Sequence, residues 1–193
     1  MKVITLSREY GAGGHSIGRE VAKQLGIEFY DRDIINEAAK KGGIDPALIA
    51  AEGEEISRAD SFIRAITPIS YEQKDAMFEA QRNVIIDIAK QGPCVILGRC
   101  SDTILKKAGV PSLNVFLYAD DASRAKRVSE LINSTDPVEI QKAIKRHDHN
   151  RHSYYAYYTE EKWGNYQNYN LMLDTGALGY EECVKIIVDA AKN

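Results

Sequence analysis

The 193 residues predict one α/β domain built on an open parallel sheet. Two observations carry this. The runs Cys94-Val95-Ile96-Leu97 and Leu113-Asn114-Val115-Phe116-Leu117 lack the alternation of a strand with one wet face, so both of their faces must be covered. Segments of helical period separate the strand-like runs, the pattern of a parallel sheet with crossover helices. Composition allows such a core: 44% of residues are hydrophobic and 27% charged, which excludes general disorder.

In chain order, Val3-Ile4-Thr5-Leu6 is β-branched and apolar and reads as the first strand, with a glycine cluster directly after it. From Ser16, apolar residues at Ile17, Val21, Ala22 and Leu25 mark a core-facing helix that stops at Gly26. Ile27 to Tyr30 forms a second short strand, and a helix from about Ile34 ends at Gly42-Gly43. Residues 44–69 are polar, broken by Gly53 and Pro68, and are expected to be short helices covering a cleft. Tyr71 to Lys90 is a long helix closed by Gly92-Pro93. A helix around Asp102–Ala108 lies between the two buried strands. Asp120 caps the next one, and Asp136-Pro137-Val138-Glu139 supplies a cap, an N1 proline and an acid for the one after it. Leu171–Asp174 is the last strand, and Tyr180–Ala191 the closing helix.

The 25 Lys and Arg against 28 Asp and Glu leave a net charge of −3, which argues against a nucleic-acid-coating or polybasic membrane-surface protein. No apolar run approaches the roughly 20 residues of a membrane span, and the first residues are too short for a signal-peptide core. Cys94, Cys100 and Cys183 lack CxxC spacing and read as reduced thiols in a cytoplasmic protein.

The strongest motif is Ser7-Arg8-Glu9-Tyr10-Gly11-Ala12-Gly13-Gly14-His15-Ser16, between the first strand and the first helix. A glycine-rich turn at that point lets successive backbone N–H groups curl round an anion, and the helix N-terminus adds partial positive charge. Aligned on GxxxxGK[ST], Arg8 takes the first glycine's place, Gly14 the lysine's and His15 the hydroxyl's. Against the GAGKGT string of many nucleoside-monophosphate kinases, Ser16 takes the magnesium-side hydroxyl and the lysine is again missing. A lysine at position 14 is therefore expected to leave folding undamaged, with room to strengthen ATP binding.

Residues 7–18, followed by Phe29-Tyr30-Asp31-Arg32-Asp33-Ile34-Ile35, resemble the bacterial cytidylate-kinase-like family. The resemblance continues through Val95–Arg99, through Val115-Phe116-Leu117 with Arg124 and Arg127, and to Leu173-Asp174-Thr175. It implies a P-loop NTPase three-layer fold with a central parallel sheet, a helical acceptor-side excursion over about 34–92 and a lid-like helical segment over about 136–168. The implied activity is phosphoryl transfer from ATP, with Mg²⁺, to a nucleoside monophosphate such as CMP or dCMP.

Phosphoryl transfer needs positive charge around the moving group. The loop, with Arg8, Gly11, Ala12, Gly13, Gly14, His15 and Ser16, is the expected phosphate site, and Ser16 the expected Mg²⁺-side group. Gly98-Arg99 follows a buried strand at the edge where open α/β sheets hold ligands. By resemblance Arg99 contacts the acceptor, with Asp31 and Arg32 beside it, while Asp33 is expected to cap the following helix. In the basic stretch 142–152, Asp148 and Arg151 share a helical face, and by resemblance both belong to a lid. His147 and His149 lie about 200° apart on a helix and cannot converge on one ion. Seven tyrosines and Trp163 after residue 150 point to a packed junction or a homo-oligomer interface. Two competing readings remain: a nucleotide-binding module without turnover, motivated by the missing lysine, and a dinucleotide-binding domain, from Gly11-x-Gly13 with Asp31 further on.

Overall fold

The computed structural model describes residues 2–41 and 71–192; the segment expected to cover a cleft, 44–69, lies outside them. Five strands form one parallel sheet in the order β2-β3-β1-β4-β5. They are β1 (Val3–Arg8), β2 (Glu28–Tyr30), β3 (Cys94–Leu97), β4 (Ser112–Tyr118) and β5 (Leu171–Asp174). The helices are α1 (Gly14–Leu25), α2 (Arg32–Lys41), α3 (Tyr71–Gln91), α4 (Ser101–Lys107), α5 (Asp121–Ile132), α6 (Pro137–Thr159), the four-residue α7 (Thr175–Leu178) and α8 (Tyr180–Lys192).

The missing alternation in the strands has a direct cause. Ile4 and Leu6 of β1, Val95 and Leu97 of β3 and Leu113, Val115 and Leu117 of β4 pack in one cluster with Ile17 and Val21 of α1 and Ile187 of α8. Val3, Cys94 and Ile96 join a second cluster with Phe78 and Ile85 of α3, Ile104 and Leu105 of α4 and Tyr155 of α6. Both faces of the sheet are therefore dry. Ile4, Leu6, Ile96 and Leu117 have no exposed surface, and burying each contributes about 1.5–3 kcal/mol.

The strand order excludes the dinucleotide-binding reading. In that fold β2 lies beside β1, whereas here β3 pairs with β1, Leu6 opposite Leu97, and β2 lies outside β3. The C-terminal ends of β1 and β3 are thus neighbours, with the Gly98 N–H donating to the Leu6 carbonyl at 2.9 Å. This brings the glycine-rich loop and the Arg99 turn together.

Asp120 caps α5 through the N–H groups of Ala122 and Ser123, as expected. Asp136 caps α6 by accepting from Val138, but Glu139 accepts from the Ser134 hydroxyl instead of closing a capping box. Two expectations need correction. α2 begins at Arg32, and its cap is Asp31, whose Oδ1 accepts from the N–H groups of Asp33 and Ile34; Asp33 sits inside the first turn. The reason is that β2 ends at Tyr30, leaving Asp31 as the first residue free to take the non-helical cap conformation. Among the described residues no helix is long and apolar enough to cross a membrane.

Most of the late tyrosines pack inside the chain, while Tyr157 and Tyr166 are exposed. Tyr158 stacks on Phe78 at 3.9 Å, Tyr154 meets the same ring edge-on, and Tyr169 and Trp163 flank Phe116. Tyr155 is 3% exposed, donates to Asp102 at 2.9 Å and lies 3.1 Å from the Thr103 hydroxyl. α6 is thereby fixed against α3 and α4.

Candidate active site

β1 ends at Arg8, and the chain turns through Gly11 (φ 89°) and Gly13 (φ 75°) into α1. The left-handed backbone at Gly13 favours glycine, and a Cβ there would run into the Tyr180 ring at the start of α8. Gly13 caps α1 without any side-chain hydrogen bond, and the first turn of α1 holds no acid. By contrast α2, α3, α4, α5, α6 and α8 each have Asp or Glu in the first turn. The first N–H groups of any α-helix lack intrahelical acceptors. At α1 neither a side-chain cap nor an acid competes for them, beside the exposed Ser16.

The loop is held from behind by an arginine whose role the sequence did not reveal. Arg124 of α5 is 6% exposed; its Nε donates to the Tyr10 carbonyl at 2.9 Å, its Nη1 meets Glu9 Oε2 at 3.1 Å and its Nη2 bonds Asp148. Asp148 also accepts from the Tyr10 N–H at 2.8 Å and lies 3.7 Å from Arg151. The Asp148 carboxylate is thus turned onto the loop backbone and Arg124, because α6 passes directly beneath Tyr10. Burial raises the Glu9 carboxyl above its ordinary value, outweighing the opposing pull of Arg124. His147 stacks on Tyr10 at 4.0 Å.

Arg151 donates to the Arg8 carbonyl at 3.2 Å, so the basic stretch of α6 reaches the end of β1. Across the sheet edge, Gly98, Arg99 and Cys100 form a turn with three consecutive positive φ angles, 76°, 58° and 55°. The Arg99 guanidinium lies 5.1 Å from the Tyr154 ring centre, a cation–π contact.

On the β2 side, Asp31 uses Oδ1 for the α2 cap and sets Oδ2 at 3.1 Å from His15 Nε2. Burial pushes the Asp31 carboxyl up, but the Ile34 N–H, the His15 ring and the Asp33 N–H outweigh it and hold the carboxyl below its ordinary value. Arg32 turns to Asp33, 3.1 Å away. Arg19 points outward along Phe29 and lies 4.0 Å from Asp31. The expected residues therefore fall into one edge: Arg8, Gly11 to Ser16 and Arg99 at its centre, Asp31 touching His15, and Asp148 and Arg151 beneath the loop. Beyond these, Glu9, Arg124, Tyr154 and Tyr180 shape the site. Only Glu9 and Arg124 lay within the quoted motifs, and no local signal distinguished their roles.

A parallel sheet of this order, with a glycine-rich loop after β1 opening an acid-free helix, is the fold of the P-loop kinases. Solved structures share it: an uncharacterized protein from Eubacterium ventriosum is 22% identical and covers 100% of this chain and 99% of its own, with TM-score 0.77. Shikimate kinase from Acinetobacter baumannii, solved with shikimate, is 16% identical over 100% and 93% of the two chains, with TM-score 0.54. The particular family follows from the sequence comparison. Residues 3–177 match the model of the cytidylate kinase-like family, and the chain belongs to that family. Proteins named cytidylate kinase from Archaeoglobus fulgidus and Methanocaldococcus jannaschii are each 25% identical, over 98% and 99% of this chain and 94% and 98% of their own.

Proposed function

We propose that the chain transfers a phosphoryl group from ATP to a nucleoside monophosphate, with CMP or dCMP as the first acceptors to test. The observation that carries this is the acid-free, side-chain-uncapped start of α1, placed by the sheet order directly beside the Arg99 turn. The donor set fits a triphosphate with Mg²⁺: backbone N–H groups from Gly14 onward, the exposed Ser16 hydroxyl and flanking arginines. When bound, the ion supplies charge neutralisation and alignment of the phosphate oxygens.

In this reading Gly11, Ala12, Gly13, Gly14, His15 and Ser16 hold donor phosphates, with Arg8 flanking them. Arg99, Asp31 and Arg32 orient the acceptor. Asp148 acts as a positioning residue through Tyr10 and Arg124, and Arg151 supports the end of β1. Names of full-length relatives agree with this chemistry. The 34–92 and 136–168 segments are assigned to the acceptor side and the lid.

Incubation with ATP·Mg²⁺ and a panel of nucleoside monophosphates, following ADP and diphosphate, tests the proposal. Turnover with CMP or dCMP supports it. ATP-induced thermal stabilisation without turnover on any acceptor would favour the second reading, a binding module, which Gly14 in the lysine's place motivates.

A further inference from the structure

We infer that Arg8 takes over the part of the loop lysine, its side chain lying in a channel opened by Gly14 and Gly98. This assignment rests on the phosphotransferase reading above. The first support is strand period. Ile4 and Leu6 point to the face covered by α1, so Arg8, two residues further, points the same way, at the first turn of α1.

Steric fit is the second support. A Cβ on Gly14 would stand 2.6 Å from Cγ of Arg8, 3.1 Å from its Cβ and 3.2 Å from its Cδ. The arginine stem thus lies flat across the Cα of Gly14. A Cβ on Gly98 would stand 2.5 Å from Arg8 Nη1, so the guanidinium ends over the Arg99 turn. A lysine at position 14 and Arg8 in this pose exclude each other. The expectation that Gly14→Lys is simply accommodated is thereby corrected: its side chain must first displace Arg8.

The third support is what the neighbouring cations do. Arg124 is taken up by Glu9, Asp148 and the Tyr10 carbonyl. Arg151 donates to a backbone carbonyl, Arg19 extends along Phe29, and Arg99 lies over Tyr154 on the opposite turn. Among the described residues, Arg8 is the cation whose stem crosses the lysine's position. An arginine there stays charged at every working pH and offers a planar fork to two phosphate oxygens. Because its tip reaches Gly98, it spans the donor loop and the acceptor turn, where transferred charge develops. No covalent step is assigned to it.

Titration calorimetry with ATP·Mg²⁺ and with AMP tests the assignment, alongside turnover and thermal unfolding of each variant. Arg8→Gln keeps the Cβ, Cγ and Cδ atoms that cross Gly14 but loses the charge and the reach to Gly98; it should weaken ATP by about 10- to 100-fold while changing AMP affinity far less. Gly14→Ala should produce a similar loss with Arg8 still present, because the new methyl evicts the stem. The double variant Arg8→Gly with Gly14→Lys moves the charge back to the loop and should recover ATP binding to within several-fold of wild type. Arg8→Gln binding ATP as wild type does would overturn the assignment and leave the kinase reading standing. Wild-type protein that binds neither ATP nor ADP would sink the kinase reading, and the assignment with it. If the double variant is unfolded by its melting curve, Arg8→Gln and Gly14→Ala decide alone.

Discussion

The two strand-to-helix turns at the sheet edge solve the same geometric problem differently. After β1, the positive φ angles fall on Gly11 and Gly13, where they carry little strain. After β3, they fall on Gly98, Arg99 and Cys100, and the two non-glycine residues store roughly 1–2 kcal/mol each. The first turn is relaxed but contains no cation of its own between Tyr10 and His15, so Arg8, Arg124 and Tyr180 shape it from outside. The second carries its cation within the turn and is strained to present it. It is held by the Gly98 bond to Leu6, by the Ile104 N–H donating to the Cys100 carbonyl and by burial of Cys100 at 4% exposed. Strain is stored at the turn that carries a large side chain, and glycine is used where the backbone alone makes the turn.

The largest effect should come from removing the support behind the relaxed turn. Arg124→Ala leaves Glu9 and Asp148 without their shared partner and should lower stability by about 3–5 kcal/mol, read from the urea midpoint. A loss under about 1 kcal/mol would show that the loop stands without it.

Next comes the strained turn. Both Arg99→Ala and Arg99→Gly should lower kcat/KM for the best acceptor by about 100-fold, near 2.7 kcal/mol. Arg99→Gly should nevertheless be the more stable of the two by about 1 kcal/mol, because it relaxes the left-handed backbone. Equal melting temperatures for the pair would mean that the turn stores no strain.

A smaller effect is expected at Asp102, buried in the first turn of the helix that follows the strained turn. Burial raises its carboxyl above the ordinary value, against the Thr103 N–H and the Tyr155 hydroxyl. A raised acid contributes most below its unfolded pKa, and that contribution is lost as pH rises through the folded one. Asp102→Asn keeps an acceptor for Tyr155, so its stability should fall less than that of wild type between acid and neutral pH. Parallel unfolding curves for the two proteins would contradict the assigned direction.

The smallest effect concerns Asp31. Its carboxyl is held below the ordinary value, so its contribution is present above the unfolded pKa and fades as pH falls through the folded one. Asp31→Asn retains a good helix cap and should cost only a few tenths of a kcal/mol at pH 7. It should also flatten the loss of stability below pH ~4. A variant that is as acid-sensitive as wild type would remove Asp31 from that transition.

What was legible in the sequence was local. The buried runs of β3 and β4, the glycine loop, the Asp120 cap and the Asp136-Pro137 start all depend on neighbours a few residues away. The Arg124 links to Glu9 and Asp148, the Tyr155 contact with Asp102 and the Tyr180 approach to Gly13 join residues 24 to 167 positions apart, and no spacing rule encodes them. Asp33 has the local look of the α2 cap, but the end of β2 decides which acid leads the helix, and that acid is Asp31. The path of Arg8 was half legible: strand period gives its face, but only the folded loop shows that Gly14 lies beneath it.

α6 runs as one uninterrupted rod of 23 residues and touches both turns. Asp148 and Arg151 meet the first turn, and Tyr154 and Tyr155 meet the second and the acid below it. The seven steps along the helix from Asp148 to Tyr155 rise about 10.5 Å, close to two helical turns. The distance between the two loops is therefore gauged by a count of residues in a third element. Inserting a single residue there would rotate Tyr155 by about 100° relative to Asp148 and throw the two loops out of step, with every residue of both loops intact.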